Sequence, residues 1–93
     1  MDLNEIKQEG IQEFSKRQDD LGNIIHDLGR RPFDLKISSQ LIALMLERGL
    51  ANKTESKIRN AKTEREVEEA HSWFYEHTRP LNRQSDPLEA QSA

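Results

Sequence analysis

Apolar side chains recur with a helical period over the first third of the chain. Seven of them fall within about 100° of arc when successive residues are placed 100° apart. Heptad spacing fits less well, because Lys7, Gly10 and Arg17 occupy three of the eight heptad positions. We therefore predict a long amphipathic helix over 3–28, with a bend near 18–20 as an alternative. The stripe consists of Leu3, Ile6, Phe14, Leu21, Ile24, Ile25 and Leu28.

The pattern then predicts a stop and a crossover. Gly29 suits the left-handed position that follows many helices, and Pro32 disfavours helical geometry in the residue before it. The segment after Pro32 alternates apolar and polar residues, but the chain offers no second strand to pair with it. We expect an extended linker that places Phe33, Leu35 and Ile37 in the core.

A second helix is predicted to have almost no polar face. Ser38 or Ser39 can cap its start, and Gly49 is expected to end it. A helix with so narrow a polar face should lie at the centre of the fold, enclosed on nearly all sides. Its apolar residues are Leu41, Ile42, Leu44, Met45 and Leu46.

Two further helices are indicated by two capping boxes, at 52–55 and 63–66. In one continuous helix, Ile58 would lie about 180° from Val67, which favours a break between them. The third helix is therefore predicted to end near Asn60.

Pro80 predicts that the fourth helix ends by Thr78 or Arg79. Residues 80–93 show no periodicity and are predicted to form a flexible C-terminal tail. The expected fold is thus all-α. It is a small four- to five-helix domain over 1–79, with a long N-terminal amphipathic helix.

Charge is distributed unevenly along a chain whose formal net charge is −3. Residues 1–29 carry seven acidic and three basic side chains, residues 30–62 three acidic and eight basic, and residues 63–93 seven acidic and three basic. The basic middle can neutralise the acidic ends on folding, or it can meet an anion such as nucleic acid. The sequence leaves both readings open.

Composition removes several classes of chemistry. The chain has no cysteine, which excludes disulfides, thiolate zinc sites and cysteine catalysis and fits a cytoplasmic location. The longest apolar run, Leu41 to Leu46, is far shorter than the ~20 residues of a membrane-spanning helix. His71 and His77 lie about 120° apart on a helix, so they do not form a metal-ligand pair. We expect no enzyme activity, no metal and no cofactor.

Residues 45–61, MLERGLANKTESKIRNA, resemble the helix-turn-helix of phage-repressor type. In that motif a helix ends in Gly-Leu, here Gly49 and Leu50, and a second helix opens with polar residues. Glu55 stands where the motif has a branched apolar residue. The resemblance implies a DNA-binding transcriptional regulator with its motif at 41–60, whose groove and phosphate contacts include Lys53, Ser56, Lys57 and Arg59.

Three aromatic residues stand side by side at 73–75. Helical geometry turns Phe74 inward with Val67, Ala70 and Thr78, and it puts Trp73 and Tyr75 on opposite flanks. Each flanking ring is either a half-buried boundary residue or an anchor for a partner.

The preferred interpretation is a non-enzymatic protein-binding regulator. It would be an inhibitor or adaptor of the kind that phages and plasmids encode. Its partner-binding residues would be Trp73, Tyr75, His77 and Arg79. The long stripe of the first helix also makes a homodimer through that helix a candidate.

Overall fold

The computed structural model describes residues 2–32 and 34–85, with side chains up to Leu81. Within these residues the chain forms three helices: α1 (Leu3–Gly29), α2 (Leu35–Arg59) and α3 (Glu64–Ser85). The all-α class is confirmed, whereas the expected four or five helices are wrong. Both α1 and α3 pack along α2, and the core lies where all three helices meet.

The first helix follows the sequence pattern closely. Asp2 caps it by accepting a hydrogen bond from the Glu5 amide at 2.9 Å, and no break occurs near residues 18–20. Phe14 and Leu21 are buried on its apolar stripe. The helix ends at Gly29 as expected, but Arg30 follows in right-handed geometry, and no glycine among the described residues has positive φ. The predicted left-handed stop is therefore wrong.

The second helix starts earlier than predicted. Asp34, rather than Ser38 or Ser39, is its cap, and the Asp34 carboxylate accepts a hydrogen bond from the Lys36 amide at 2.8 Å. Leu35 is helical and 78% exposed. The prediction that it lies in an extended linker and packs in the core is therefore wrong. Phe33 lies outside the described residues.

The predicted stop at Gly49 is also wrong, because α2 runs through it to Arg59. A glycine inside a helix costs about 1 kcal/mol relative to alanine. The next turns offset this cost by packing, since Ala51, Thr54 and Ile58 are all buried. The Thr54 hydroxyl also donates to the Leu50 carbonyl within the helix, at 2.8 Å.

The reversal between α2 and α3 agrees with the sequence. Asn60 caps the end of α2, and α3 begins after Thr63, whose hydroxyl accepts a hydrogen bond from the Glu66 amide at 3.2 Å. The Glu66 carboxylate in turn accepts from the Lys62 amide at 2.7 Å. Lys7 reaches this junction from α1, and its ammonium donates to the carbonyls of Arg59 (2.8 Å) and Ala61 (2.9 Å).

The third helix passes through Pro80 and continues to Ser85, which corrects the predicted end at Arg79. Proline removes the amide that would bond to the carbonyl of Glu76. Both Glu76 and Pro80 are exposed, so water can reach that carbonyl. The predicted tail at 80–93 is therefore helical at least to Ser85, and residues 86–93 lie outside the described part. The buried face of α3 is the expected one: Val67, Ala70, Phe74 and Thr78.

Candidate interaction surfaces

The four predicted partner-binding residues form two pairs on opposite flanks of α3. Trp73 and His77 are one helical turn apart, and so are Tyr75 and Arg79. The centres of the two pairs are about 160° apart around the helix axis. One flat partner surface therefore contacts one pair or the other, and the two pairs have different surroundings.

The Trp73–His77 pair is partly covered by α2. The Lys57 ammonium lies 4.7 Å from the centroid of the Trp73 ring, and the His77 ring stacks at 4.3 Å with an interplanar angle of 31°. The Nδ1 atom of His77 is also 2.7 Å from the Trp73 carbonyl oxygen. Trp73 is half-buried, and both Lys57 and His77 pack against its ring.

The Tyr75–Arg79 pair is open. Tyr75 is 49% exposed, and its ring meets that of Phe74 nearly at a right angle, at a centroid distance of 5.6 Å. Phe74 is fully buried, so one side of the tyrosine rests on the core while the other faces solvent. Arg79 is exposed one turn further along α3. Of the two aromatic residues that flank Phe74, Tyr75 is therefore the more exposed.

His71 joins α3 to α1 rather than forming a ligand site. Its ring packs 5.2 Å from that of Phe14, its Nδ1 is 3.0 Å from the Val67 carbonyl, and its Nε2 is 3.4 Å from the Glu13 carboxylate. Both nitrogens face oxygens that only accept. No group of three potential metal-ligating side chains converges anywhere in residues 2–32 and 34–81.

The helix-turn-helix expected at 41–60 lacks its turn, because Gly49 and Leu50 are interior residues of α2. Its four candidate contacts are all exposed on the last turns of that helix: Lys53, Ser56, Lys57 and Arg59. Two of them have neighbours within the chain, since Lys57 covers Trp73 and the Arg59 guanidinium lies 3.6 Å from the Glu55 carboxylate. Glu55, which stands where the motif has a branched apolar residue, has a side chain that is only 16% exposed and is paired with Arg59. Duplex binding by these residues stays a prediction.

An open groove of about 520 Å³ lies between α2 and α3 beside Trp73. Lys57, Glu66 and Glu69 line it together with Ser56 and Asn60. Ligand pockets are usually enclosed and mostly apolar with a few convergent polar groups. This groove has the opposite character, because charges of both signs meet in an open channel.

The sequence pattern missed an exposed apolar face on α2. The predicted enclosed helix in fact exposes Ile42 (58%), Met45 (60%) and Leu46 (52%), and Leu35 precedes them on the same helix. Ala43 is the only buried residue of α2 between Leu35 and Leu50. If residues 35–59 had been predicted as one helix, this exposed face would have been expected. A helix of that length carries more apolar residues than two neighbouring helices can cover.

Comparison of the chain with protein-family models, with curated proteins and with solved structures gave no match. Among the described helices, none combines the length and the apolar content that crossing a bilayer requires.

Proposed function

We propose that this chain is a non-enzymatic, cytoplasmic protein-binding regulator, of the inhibitor or adaptor type, that holds its partner at the Tyr75–Arg79 pair. The observation that carries the proposal is the half-exposed Tyr75 ring seated on the buried Phe74. Tyrosine and arginine are enriched among the residues that dominate binding energy at protein interfaces. The cysteine-free composition agrees with a reducing cytoplasm.

The seat on Phe74 matters because it restricts the tyrosine before binding. An interface side chain that loses rotamer freedom on binding costs about 0.5–1.5 kcal/mol. A tyrosine has only two side-chain torsions, and the ring of Tyr75 already packs against that of Phe74. The phenol hydroxyl and the Arg79 guanidinium add polar donors at the edge. The partner that fits is an apolar patch bordered by a carboxylate or by carbonyl oxygens.

The test is capture of proteins from a lysate of the native host on immobilised chain, identified by mass spectrometry. Tyr75→Ala and Arg79→Ala should each reduce capture of the specific partner at least tenfold. Gln12→Ala, at an exposed position of α1, is the matched control and should change nothing. A nuclease-treated lysate run in parallel separates protein contacts from the duplex binding predicted for Lys53, Ser56, Lys57 and Arg59.

Two results would contradict the proposal. The same proteins could be captured by Tyr75→Ala at undiminished yield, or nuclease could abolish all specific capture. Trp73→Ala distinguishes the two flanks. Because Trp73 packs against Lys57 and His77, its loss should lower stability more than it lowers capture by the molecules that remain folded.

A further inference from the structure

A line of exposed positions runs the length of α2. Leu35, Ile42, Leu46, Gly49 and Lys53 fall within about 60° of arc at 100° per residue, and we call them the α2 stripe. Its three large apolar members each expose more than half of their surface. Monomeric proteins rarely expose contiguous apolar patches beyond a few hundred Å², and such patches usually mark interaction sites.

The central residues of α2 itself are uncharged. Residues 37–46 contain no Asp, Glu, Lys, Arg or His, and Met45 extends the apolar face beside Ile42 and Leu46. A partner therefore desolvates no charge over the centre of the stripe. Residues 86–93 do not supply enough apolar surface to cover it, because Leu88 is their only large apolar residue.

One exposed acid and one exposed base flank the two ends of the α2 stripe, and Lys36 follows Leu35 about 100° around the helix from it. Asp34 precedes Leu35 at the start of the helix, and Lys53 lies at the other end; both are exposed. Gly49 lies between Leu46 and Lys53, and a Cβ built there would meet nothing within 4 Å. A face with acid at one end, base at the other and an apolar centre is complementary to itself when one copy is reversed.

We propose that α2 pairs antiparallel with α2 of a second copy of this chain, about a two-fold axis near residues 43 and 44. Ile42 then packs on Leu46 of the second copy, and Asp34 meets Lys53 at both ends. Gly49 faces Ser38 and Ser39 of the second copy, and these small residues permit a close approach of the helices. The self-association considered for the first helix is assigned to α2 instead, because Phe14 and Leu21 of the α1 stripe are buried within one copy.

This pairing goes beyond the proposed function, since it uses no part of the Tyr75–Arg79 pair. Sedimentation equilibrium on the purified chain measures it directly. The wild-type chain should be a dimer, and Ile42→Asp and Leu46→Asp should each raise its dissociation constant at least tenfold. Both side chains are exposed, so the helical circular dichroism should not change. Ile24→Asp is the matched control: it places the same charge at a comparably exposed apolar residue, on α1, and should leave the dimer intact.

A charge reversal tests the antiparallel register. Lys53→Asp should weaken the dimer, because two acidic residues then meet at each end, and the addition of Asp34→Lys should restore it. Asp34 also caps α2, so the rescue has to occur despite the loss of that cap. Recovery of the dimer in the double variant therefore cannot come from a better-folded helix.

Three outcomes would overturn the pairing. The wild-type chain could stay monomeric up to about 1 mM, the weak end of specific association. The dimer could persist unchanged in both aspartate variants, which would place the interface elsewhere. A monomeric wild-type chain could capture a different protein that Ile42→Asp fails to bind, which would assign the α2 stripe to that protein. None of these results decides the role of Tyr75.

Discussion

The rings of Phe14 and Phe74 meet edge to face at a centroid distance of 4.9 Å, and both residues are fully buried. This contact joins α1 to α3 directly, whereas most of the packing of both helices is against α2. The Arg17 guanidinium carbon lies 4.9 Å from the Phe74 centroid and covers the pair. The two phenylalanines therefore join α1 to α3 within the core cluster that also contains Ala51 and Ile58 of α2.

Phe74→Ala should reduce the free energy of unfolding by about 3–5 kcal/mol, since it leaves a cavity in a thin core. Domains of this size have little stability to spare, so much of the variant should be unfolded at 25 °C. Urea denaturation followed by circular dichroism measures the change. Tyr75→Ala, one position further along, is the control and should cost about 1 kcal/mol or less. Equal losses in the two variants would contradict the inward placement of Phe74.

Two glycines of α1 should respond oppositely to the same substitution. At an ordinary helix position, replacing glycine by alanine raises the free energy of unfolding by about 0.5–1 kcal/mol. At Gly22 the new Cβ would meet only the mobile guanidinium end of Arg48, at 3.3 Å, so Gly22→Ala should gain this amount. At Gly10 it would lie 3.0 Å from the Cδ1 atom of Ile58, which is fully buried. Gly10→Ala should therefore leave the free energy of unfolding unchanged or lower it. Thermal melts of both variants check the difference in sign.

Lys7 should stabilise the fold more than its partly exposed position suggests. Its ammonium donates to the carbonyl of Arg59, the last residue of α2 where the helix dipole is negative, and to that of Ala61 two residues further on. Lys7→Met keeps the aliphatic stem but removes both hydrogen bonds, and it should cost about 1–2 kcal/mol in urea denaturation. Lys16→Met, at an exposed position of the same helix, should stay within about 0.5 kcal/mol of wild type. A neutral Lys7→Met would show that water replaces the ammonium without loss.

The single tryptophan reports on the contact between α2 and α3. Lys57→Ala removes the cation above the Trp73 ring and opens that face to water. Fluorescence emission should shift to longer wavelength, with a loss of about 0.5–1 kcal/mol in stability. Lys36→Ala, at the far end of α2, should leave the spectrum unchanged. An unshifted spectrum for Lys57→Ala would place the ammonium away from the indole.

The sequence predicts helices well where packing and pattern agree. The predictions that agree with the structure are the α1 stripe, the capping box at Thr63 and the buried face of α3. Each belongs to a helix that has both a periodic apolar pattern and a local start signal. In each case the local preference and the tertiary contact favour the same geometry, so a pattern read in one dimension is sufficient.

The errors lie where a local signal competes with packing further along the chain. Gly49 is a common helix stop, but Ala51, Thr54 and Ile58 are buried in the turns after it and carry the helix through. Pro80 fails as a stop because Glu76, whose carbonyl loses its hydrogen-bond partner, is an exposed residue that water can reach. Neither outcome can be read from the residue itself, since it depends on what the neighbouring turns contact.

The candidate surfaces were predictable in part. Geometry around one helix separates Trp73 from Tyr75, as the sequence indicated. It cannot say which flank stays open, because that depends on Lys57 of another helix. The exposed face of α2 was hidden for a similar reason: its burial was inferred from apolar content, whereas exposure depends on how many neighbouring helices there are to cover it.

The bond from Lys7 to the Ala61 carbonyl joins residues 54 positions apart, and this separation has a kinetic consequence. A loop that long costs more entropy to close than the short turn between α1 and α2, so its contacts should form after the two helices have begun to pair. Interactions absent from the transition state affect mainly the unfolding rate. Lys7→Met should therefore raise the unfolding rate measured by stopped flow and leave the refolding rate nearly unchanged. Lys7 would then mainly determine how long a molecule stays folded before it unfolds.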